Sequence, residues 1–537
     1  MTKKFLALFL ALLLFLLAGC GNSGQNSSES QPSSPTGENN SKTELRLLYC
    51  ANDTMNPYKT ISKLNAEIAP LLFEPLFTVD NGFEAAKVLA KDVAFEEKIC
   101  RVTLVDAKFS DGSVLTAEDV VYSFGLAKES TRFAPLLYEI NSVTAETTNV
   151  VAFELTQLDP YFTKLLTFPI LKSGSDQLKN EDNVELHPIG TGKYVFSEDS
   201  LSLIPNKHFR ASVGDIQKIS LINAPDNDSM QHYVEVGATD IYYAEMYDDH
   251  IIRMSGKKYT VNLNNLIYVG VNHNYAPLKN SALRYAISSA ISRNEIISTS
   301  HYTDAVAATG FFHPSWKEIS GYQTIQSDAN LKISVENLAN IGYNILNEEG
   351  YYENSKGKII ELRLLVNQDN YTKMQTAELI SSQLKASGIK ITVDARSEKE
   401  YFKALGDGDF QLYLGEVRFL PNMDISCLVK DGGTAAYGIV SPEKPKTEET
   451  AKTEDEEDSE AEAPIVYDDE FSYLSVLEGF YSGNNTAVDL ASSLLASMPV
   501  IPVAYRSSIV FYSENIEEFP TASCYDLFFK SDEFKLK

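Results

Sequence analysis

The sequence predicts a mixed α/β protein of two or more domains, built on parallel sheet covered by helices. Three observations carry that expectation. Strand-like runs at 359–366, 389–393 and 410–414 alternate with helical stretches at 371–386 and 398–405, the βαβαβ pattern of a parallel sheet. At 537 residues the chain is longer than one hydrophobic core organises. After the first twenty residues, no stretch is long and apolar enough to cross a bilayer.

In chain order, Met1-Thr2-Lys3-Lys4 gives a basic start, 5–17 is an unbroken apolar run, and Leu17-Ala18-Gly19-Cys20 ends it with small residues before a cysteine. The run is too short for a membrane span of about 20 residues and is flanked as an export signal is. Its ending resembles the lipobox of bacterial lipoproteins, so residues 1–19 are expected to be a lipoprotein signal peptide and Cys20 the lipid-bearing residue. The alternative is an ordinary signal peptide cut near a cysteine. Residues 20–43 are rich in Ser, Asn, Gln, Pro and Gly and read as a disordered tether. The body beyond it is expected outside the cytoplasm, anchored to the cell membrane.

From 44 onward the folded body begins. Strands are expected at 45–50, 99–105 and 150–155 from their apolar and β-branched content. Thr116-Ala117-Glu118-Asp119 starts a helix with a capping-box pattern, and Val120, Val121, Phe124 and Leu126 supply its apolar face. Residues 441–463 hold ten acidic side chains with almost nothing apolar and read as a solvated, disordered loop.

Net charge is −28, which argues against nucleic acid as a partner and against docking on anionic lipid. Besides Cys20, four cysteines remain, Cys50, Cys100, Cys427 and Cys524, with no C-x-x-C spacing. They are either disulfide partners or buried thiols, and no metal role falls to them. The seven histidines include no H-E-x-x-H pair and the serines no G-x-S-x-G elbow, so neither a zinc hydrolase nor a serine hydrolase is legible. Asp248-Asp249-His250 is the one compact acid–imidazole cluster, read as surface solvation. No cofactor is expected.

At Phe109-Ser110-Asp111-Gly112-Ser113-Val114-Leu115-Thr116-Ala117-Glu118-Asp119-Val120-Val121-Tyr122-Ser123 the chain resembles the F-x-D-G-x-x-x-T-A-x-D-V-x-x-S segment of the family 5 extracellular solute-binding proteins, the peptide and nickel receptors of ABC importers. Supporting matches follow the family's order. Leu71-Leu72-Phe73-Glu74-Pro75-Leu76-Phe77 resembles its yEgL helix, Pro188-Ile189-Gly190-Thr191-Gly192-Lys193-Tyr194 its P-x-G-T-G-x-Y turn, and 283–293 its R-x-A-I-x-x-A-I-x-R helix. Read physically, Asp111-Gly112 suits a turn, Thr116 a cap, and Leu283, Ala286, Ile287, Ala290 and Ile291 a core stripe.

The resemblance implies a two-lobed periplasmic-binding-protein-like fold, type II, of the large cluster with an extra inserted subdomain and a ligand cleft between lobes. Lobe I would take 44–70, 186–264 and 500–537, its inserted subdomain 71–185, and lobe II 265–499, with hinge crossings near 263–271 and 499–504. It implies capture of a small peptide or other organic solute for ABC permease subunits, by a monomer that is not an enzyme. A signalling receptor, a nickel or chelate receptor and, last, an extracytoplasmic hydrolase are the alternatives.

Peptide-binding members carry a G-W-x-x-D-Y-x-D-P-like loop whose aspartate meets the ligand's ammonium. Here the equivalent run is Gly415-Glu416-Val417-Arg418-Phe419-Leu420-Pro421-Asn422-Met423-Asp424, with Phe419 in the aspartate's place. Glu416 or Asp424 would have to replace it, while Arg418 offers a planar fork suited to a carboxylate. Arg418 pairing with Glu416 is the structural alternative. Further ligand candidates are Asn422, Tyr437 and the loop residues Asp53, Thr54 and Asn56, which equally suit an Asx turn.

Overall fold

The computed structural model describes residues 43–244, 252, 254–300, 305–322, 324–440 and 471–537. Residues 1–42 with Cys20, the acidic run 441–463 and the cluster Asp248-Asp249-His250 lie outside them.

The first strand, Glu44–Tyr49, pairs in parallel with Lys218–Asn223, and the sheet continues antiparallel through Ser202–Pro205 to Tyr194–Phe196. Leu45 and Leu47, two apart and so on one face, enter a core shared with Leu221, Tyr243, Val510 and Phe528. The chain thus returns to this core from three distant segments.

A second four-stranded sheet is an antiparallel meander of Ala90–Glu96, Ile99–Leu104, Val150–Leu155 and Ile140–Thr147. Helix Ala117–Glu129 covers it, started by the capping box: the Thr116 N–H and hydroxyl donate to Asp119 Oδ2 at 2.9 and 2.8 Å. Its buried stripe is Ala117, Val120, Phe124 and Ala127; Val121 and Leu126 are only half-buried, because the 3.6-residue period puts them off the face that meets the sheet. The resemblance motif here builds the fold.

The Gly190-Thr191-Gly192 turn lies flat against the end of the 69–72 segment. A Cβ at Gly190 would stand 2.2 Å from Leu72 O and one at Gly192 2.4 Å from Leu71 O, so only glycine admits this approach.

The largest sheet runs in the order Ile241–Ala244, Val500–Tyr512, Lys257–Val271, Leu412–Arg418, Glu361–Asn367, Lys390–Arg396. Its last three strands are mutually parallel and are linked through helices Tyr371–Ala386 and Glu398–Asp407, the βαβαβ unit read from the sequence. Leu412–Arg418 outruns the expected strand end at 414 by four residues, because it pairs antiparallel with Asn265–Val271 through Arg418. Along that pair Gly270 faces Tyr413 and Tyr268 faces Gly415, each glycine making room for the ring opposite.

Lys257–Val271 and Val500–Tyr512 pair along nearly their whole length, with register breaks between Asn262 and Leu266 and between Ile267 and Tyr268. The helix expected over 283–293 divides into Ser281–Ala290 and Arg293–Ser300, and all five residues of its stripe are buried. Its two arginines are buried as well. Arg284 donates to the carbonyls of Leu278 and Ser497 at 2.6 Å each, tying the first helix to the end of helix Ala487–Ser497, and Arg293 donates to Pro502 O at 2.8 and 3.0 Å, tying the second to the Val500–Tyr512 strand.

Candidate functional site

A cavity of about 540 Å³ lies where four stretches distant in sequence converge, with Thr167 and Tyr243 beside them. One wall is Thr60–Lys63 with Ala66, Glu67 and Pro70, and a second is Arg132, Phe133, Pro135 and Leu136 of the segment after helix Ala117–Glu129. Arg418, Phe419, Leu420 and Pro421 form a third, and Cys524–Leu527 with Tyr243 and Thr167 close it. That volume falls within the range of small-molecule and peptide sites. Arg418 and Phe419 stand at the carboxyl end of the parallel strands, where open α/β sheets bind ligands.

The sequence candidates divide in two. Arg418 and Phe419 reach the cavity wall, and Phe419 is fixed there by its N–H donating to Asn264 O at 2.9 Å. Glu416 is instead held from outside the wall. Arg506 Nε donates to its Oε1 at 2.7 Å, Lys373 Nζ lies 3.4 Å from Oε2, and Asn265 Nδ2 donates at 3.3 Å. Burial works to raise the Glu416 carboxyl, but Arg506 and Lys373 outweigh it and hold the group below the usual carboxylate range.

Asp53, Thr54 and Asn56 bond to their own loop. The Asp53 carboxylate accepts from the Thr60 hydroxyl at 2.5 Å and from the Ile61 and Ser62 N–H groups at 2.9 and 2.7 Å. These hydrogen bonds hold Asp53 low against the pull of burial, and they shape the Thr60–Ser62 wall. Thr54 Oγ1 accepts from Asn56 N–H and Asn56 Oδ1 from Tyr58 N–H, the turn geometry that these residue types favour. Tyr437 packs edge-on against Tyr413 with ring centres 6.0 Å apart.

Asn422 and Asp424 join two parts of the molecule. Asn422 Nδ2 donates to Asp159 Oδ2 at 2.9 Å and to the Tyr138 hydroxyl at 3.2 Å, and Tyr138 donates to Asp424 Oδ2 at 2.9 Å. Tyr481 donates to Asp424 Oδ1 at 2.6 Å. Behind this junction Glu139 and Asp159 are both buried, and burial together with their mutual repulsion pushes Glu139 well up; burial also raises Asp159. Sequence reading missed Thr60–Lys63, Arg132–Leu136 and Cys524–Leu527, since none lies in a motif and only folding brings them together.

No disulfide joins Cys50, Cys100, Cys427 and Cys524 to one another, and burial pushes the Cys100 and Cys427 thiols up to about 12. Among the described residues no group of three or more His, Cys, Asp or Glu could hold a metal ion, and no helix is long and apolar enough to cross a membrane.

Comparison with known proteins places this geometry. The chain is 26% identical over 429 residues to the oligopeptide-binding protein AppA of Bacillus subtilis, covering 72% of this chain and 74% of that one. To the periplasmic murein peptide-binding protein MppA of Escherichia coli it is 23% identical, covering 67% and 72%. Among solved structures, unliganded open MppA superimposes with a TM-score of 0.71 at 18% identity over 89% of this chain and 94% of that one. NikA from Brucella suis, in complex with Fe(III)-EDTA, gives 0.63 at 16% over 92% and 100%. These neighbours share the two-lobed binding-protein fold. The family described as bacterial extracellular solute-binding proteins, family 5 Middle, matches residues 85–422, well over half of the sequence, and the chain belongs to that family.

Proposed function

We propose that this protein is the lipid-anchored, extracytoplasmic receptor of an ABC importer, which captures a peptide or peptide-like solute between its lobes and delivers it to the permease. The observation that carries the reading is the cavity itself, walled by segments from both sides of the long paired strands. Relatives named as oligopeptide-binding and murein peptide-binding support a peptide-like ligand. Lipid on Cys20 and the tether to residue 43 would keep the body near the permease without crossing the membrane.

In this reading lobe I comprises 44–70, 186–264 and 500–537 with 71–185 inserted, and lobe II comprises 265–499. The hinge lies in the 263–271 and 499–504 crossings. The register break between Asn262 and Leu266 supports it, since missing ladder bonds make bending there cheap. Closure expels water from the cleft, so charges on its wall act through a lower dielectric and bind more tightly than they would on an open surface. Arg418 and Phe419 are the proposed ligand contacts, while Glu416, Asn422, Asp424, Asp53, Thr54, Asn56 and Tyr437 shape the wall and the lobes behind it.

Mass spectrometry of what is released when gently isolated protein is denatured tests the reading. It predicts one peptide-like species, equimolar with the protein. A nickel chelate in its place, or conversion of an added peptide to products, would set it aside.

A further inference from the structure

Resting on that reading, we infer that the cavity selects its solute through one bulky apolar side chain of a peptide-like ligand, which Ile61 covers from one wall and Leu136 and Leu420 from two others.

Ile61 is 94% exposed, the most exposed large apolar side chain among the described residues, and it stands on the cavity wall. At that exposure it adds almost nothing to the core. Its backbone is nevertheless pinned on both sides. The Asp53 carboxylate accepts from the Thr60 hydroxyl at 2.5 Å and from the Ile61 and Ser62 N–H groups at 2.9 and 2.7 Å. The Ser62 hydroxyl accepts the Asn65 N–H at 3.4 Å, capping helix Lys63–Ile68. The two hydroxyls beside Ile61 are thus engaged, and the isoleucine side chain is held out toward the cavity.

A single exposed isoleucine is ordinary on a protein surface; what sets this one apart is its company. In the 3₁₀ turn Ala134–Leu137 successive side chains point about 120° apart, and Leu137 takes the direction of the core. Leu136 is left half-buried on the cavity wall, its N–H donating to Phe133 O at 2.9 Å. Leu420 is half-buried as well, and its carbonyl accepts the Met423 N–H at 3.0 Å and Asn264 Nδ2 at 3.3 Å. Three segments far apart in sequence therefore bring aliphatic tips into one cavity, each on a backbone that is already fixed. Such a preorganised apolar corner loses little freedom on binding, and it favours groups that need no hydrogen bond once they leave water. Leucine, methionine and phenylalanine side chains meet that condition; serine, asparagine and glutamine do not.

The test uses alanine tetrapeptides in which one residue, at each position in turn, is Leu, Met or Phe in one pool and Ser, Asn or Gln in the other, so that no side chain is charged. Retention by the mature protein from an equimolar mixture of the pools is read by mass spectrometry. At one peptide position the apolar forms should be retained at least about tenfold better than the polar ones, a difference of about 1.4 kcal/mol. Ile61→Ser should erase most of that preference without moving the unliganded melting temperature, and Ile61→Leu should restore it. If the two pools are retained equally, or if Ile61→Ser keeps the full preference, the inference is wrong although the protein binds peptides. If the wild-type protein retains no peptide from either pool, the peptide reading falls and takes the inference with it.

Discussion

Arg506→Ala is expected to lower stability by about 3–5 kcal/mol, because it strands a buried carboxylate. The side chains of Arg506 and Glu416 are 9% and 12% exposed, and Arg506 Nε meets Glu416 Oε1 at 2.7 Å with a second contact from its terminal nitrogen at 3.3 Å. Without the guanidinium, Glu416 keeps only Lys373 at 3.4 Å and Asn265 at 3.3 Å. The pair also bolts Val500–Tyr512 to Leu412–Arg418 beside the register break, so its loss loosens the proposed hinge. Urea unfolding of the unliganded protein measures the effect. The double variant Glu416→Gln, Arg506→Met should recover most of the loss, since it removes the stranded charge along with its partner. An unchanged midpoint in Arg506→Ala would mean that Glu416 is well solvated.

Raising the pH from 5 to 8 is expected to lower the unfolding temperature, and Glu139→Gln to flatten that dependence. Glu139 and Asp159 are 1% and 0% exposed and sit side by side. Gln157 donates to Glu139 at 3.2 Å, the Tyr161 N–H and Asn422 donate to Asp159 at 2.7 and 2.9 Å, and the nearby charges are Asp424 and the buried Lys164. Burial and the second carboxylate raise the folded pKa values above the roughly 4 of an unfolded chain. The native state then holds more protons than the unfolded one. Stability from this pair is complete below about pH 4 and falls as pH rises through the folded values. Each tenfold difference in proton affinity is worth about 1.4 kcal/mol. Because Asn422 and Tyr138 carry the pair's hydrogen bonds to the 422–424 loop, the junction should loosen together with the fold. Equal slopes for wild type and Glu139→Gln would contradict this account.

What the sequence revealed followed from local pattern. The βαβαβ unit was legible because strand and helix periods alternate over 359–414, and the capping box because Thr116 and Asp119 sit three apart. Arg418 was legible as a wall residue through its place after a strand, although that strand runs on to include it. What stayed hidden depends on partners far along the chain. Nothing near Glu416 announces Arg506, 90 residues later, and nothing near Asn422 announces Asp159, 263 residues earlier. Arg132 sits in no motif and joins the cavity wall only once the segment after helix Ala117–Glu129 folds against the 418–421 segment.

The central claim is that ligand binds between lobes that close on it. Small-angle X-ray scattering of the mature protein, alone and saturated with its co-purified species, tests this most directly. The account predicts a saturable fall in radius of gyration at equimolar ligand, absent in Arg418→Gln at the same ligand concentration. Tight binding with an unchanged radius of gyration would contradict it.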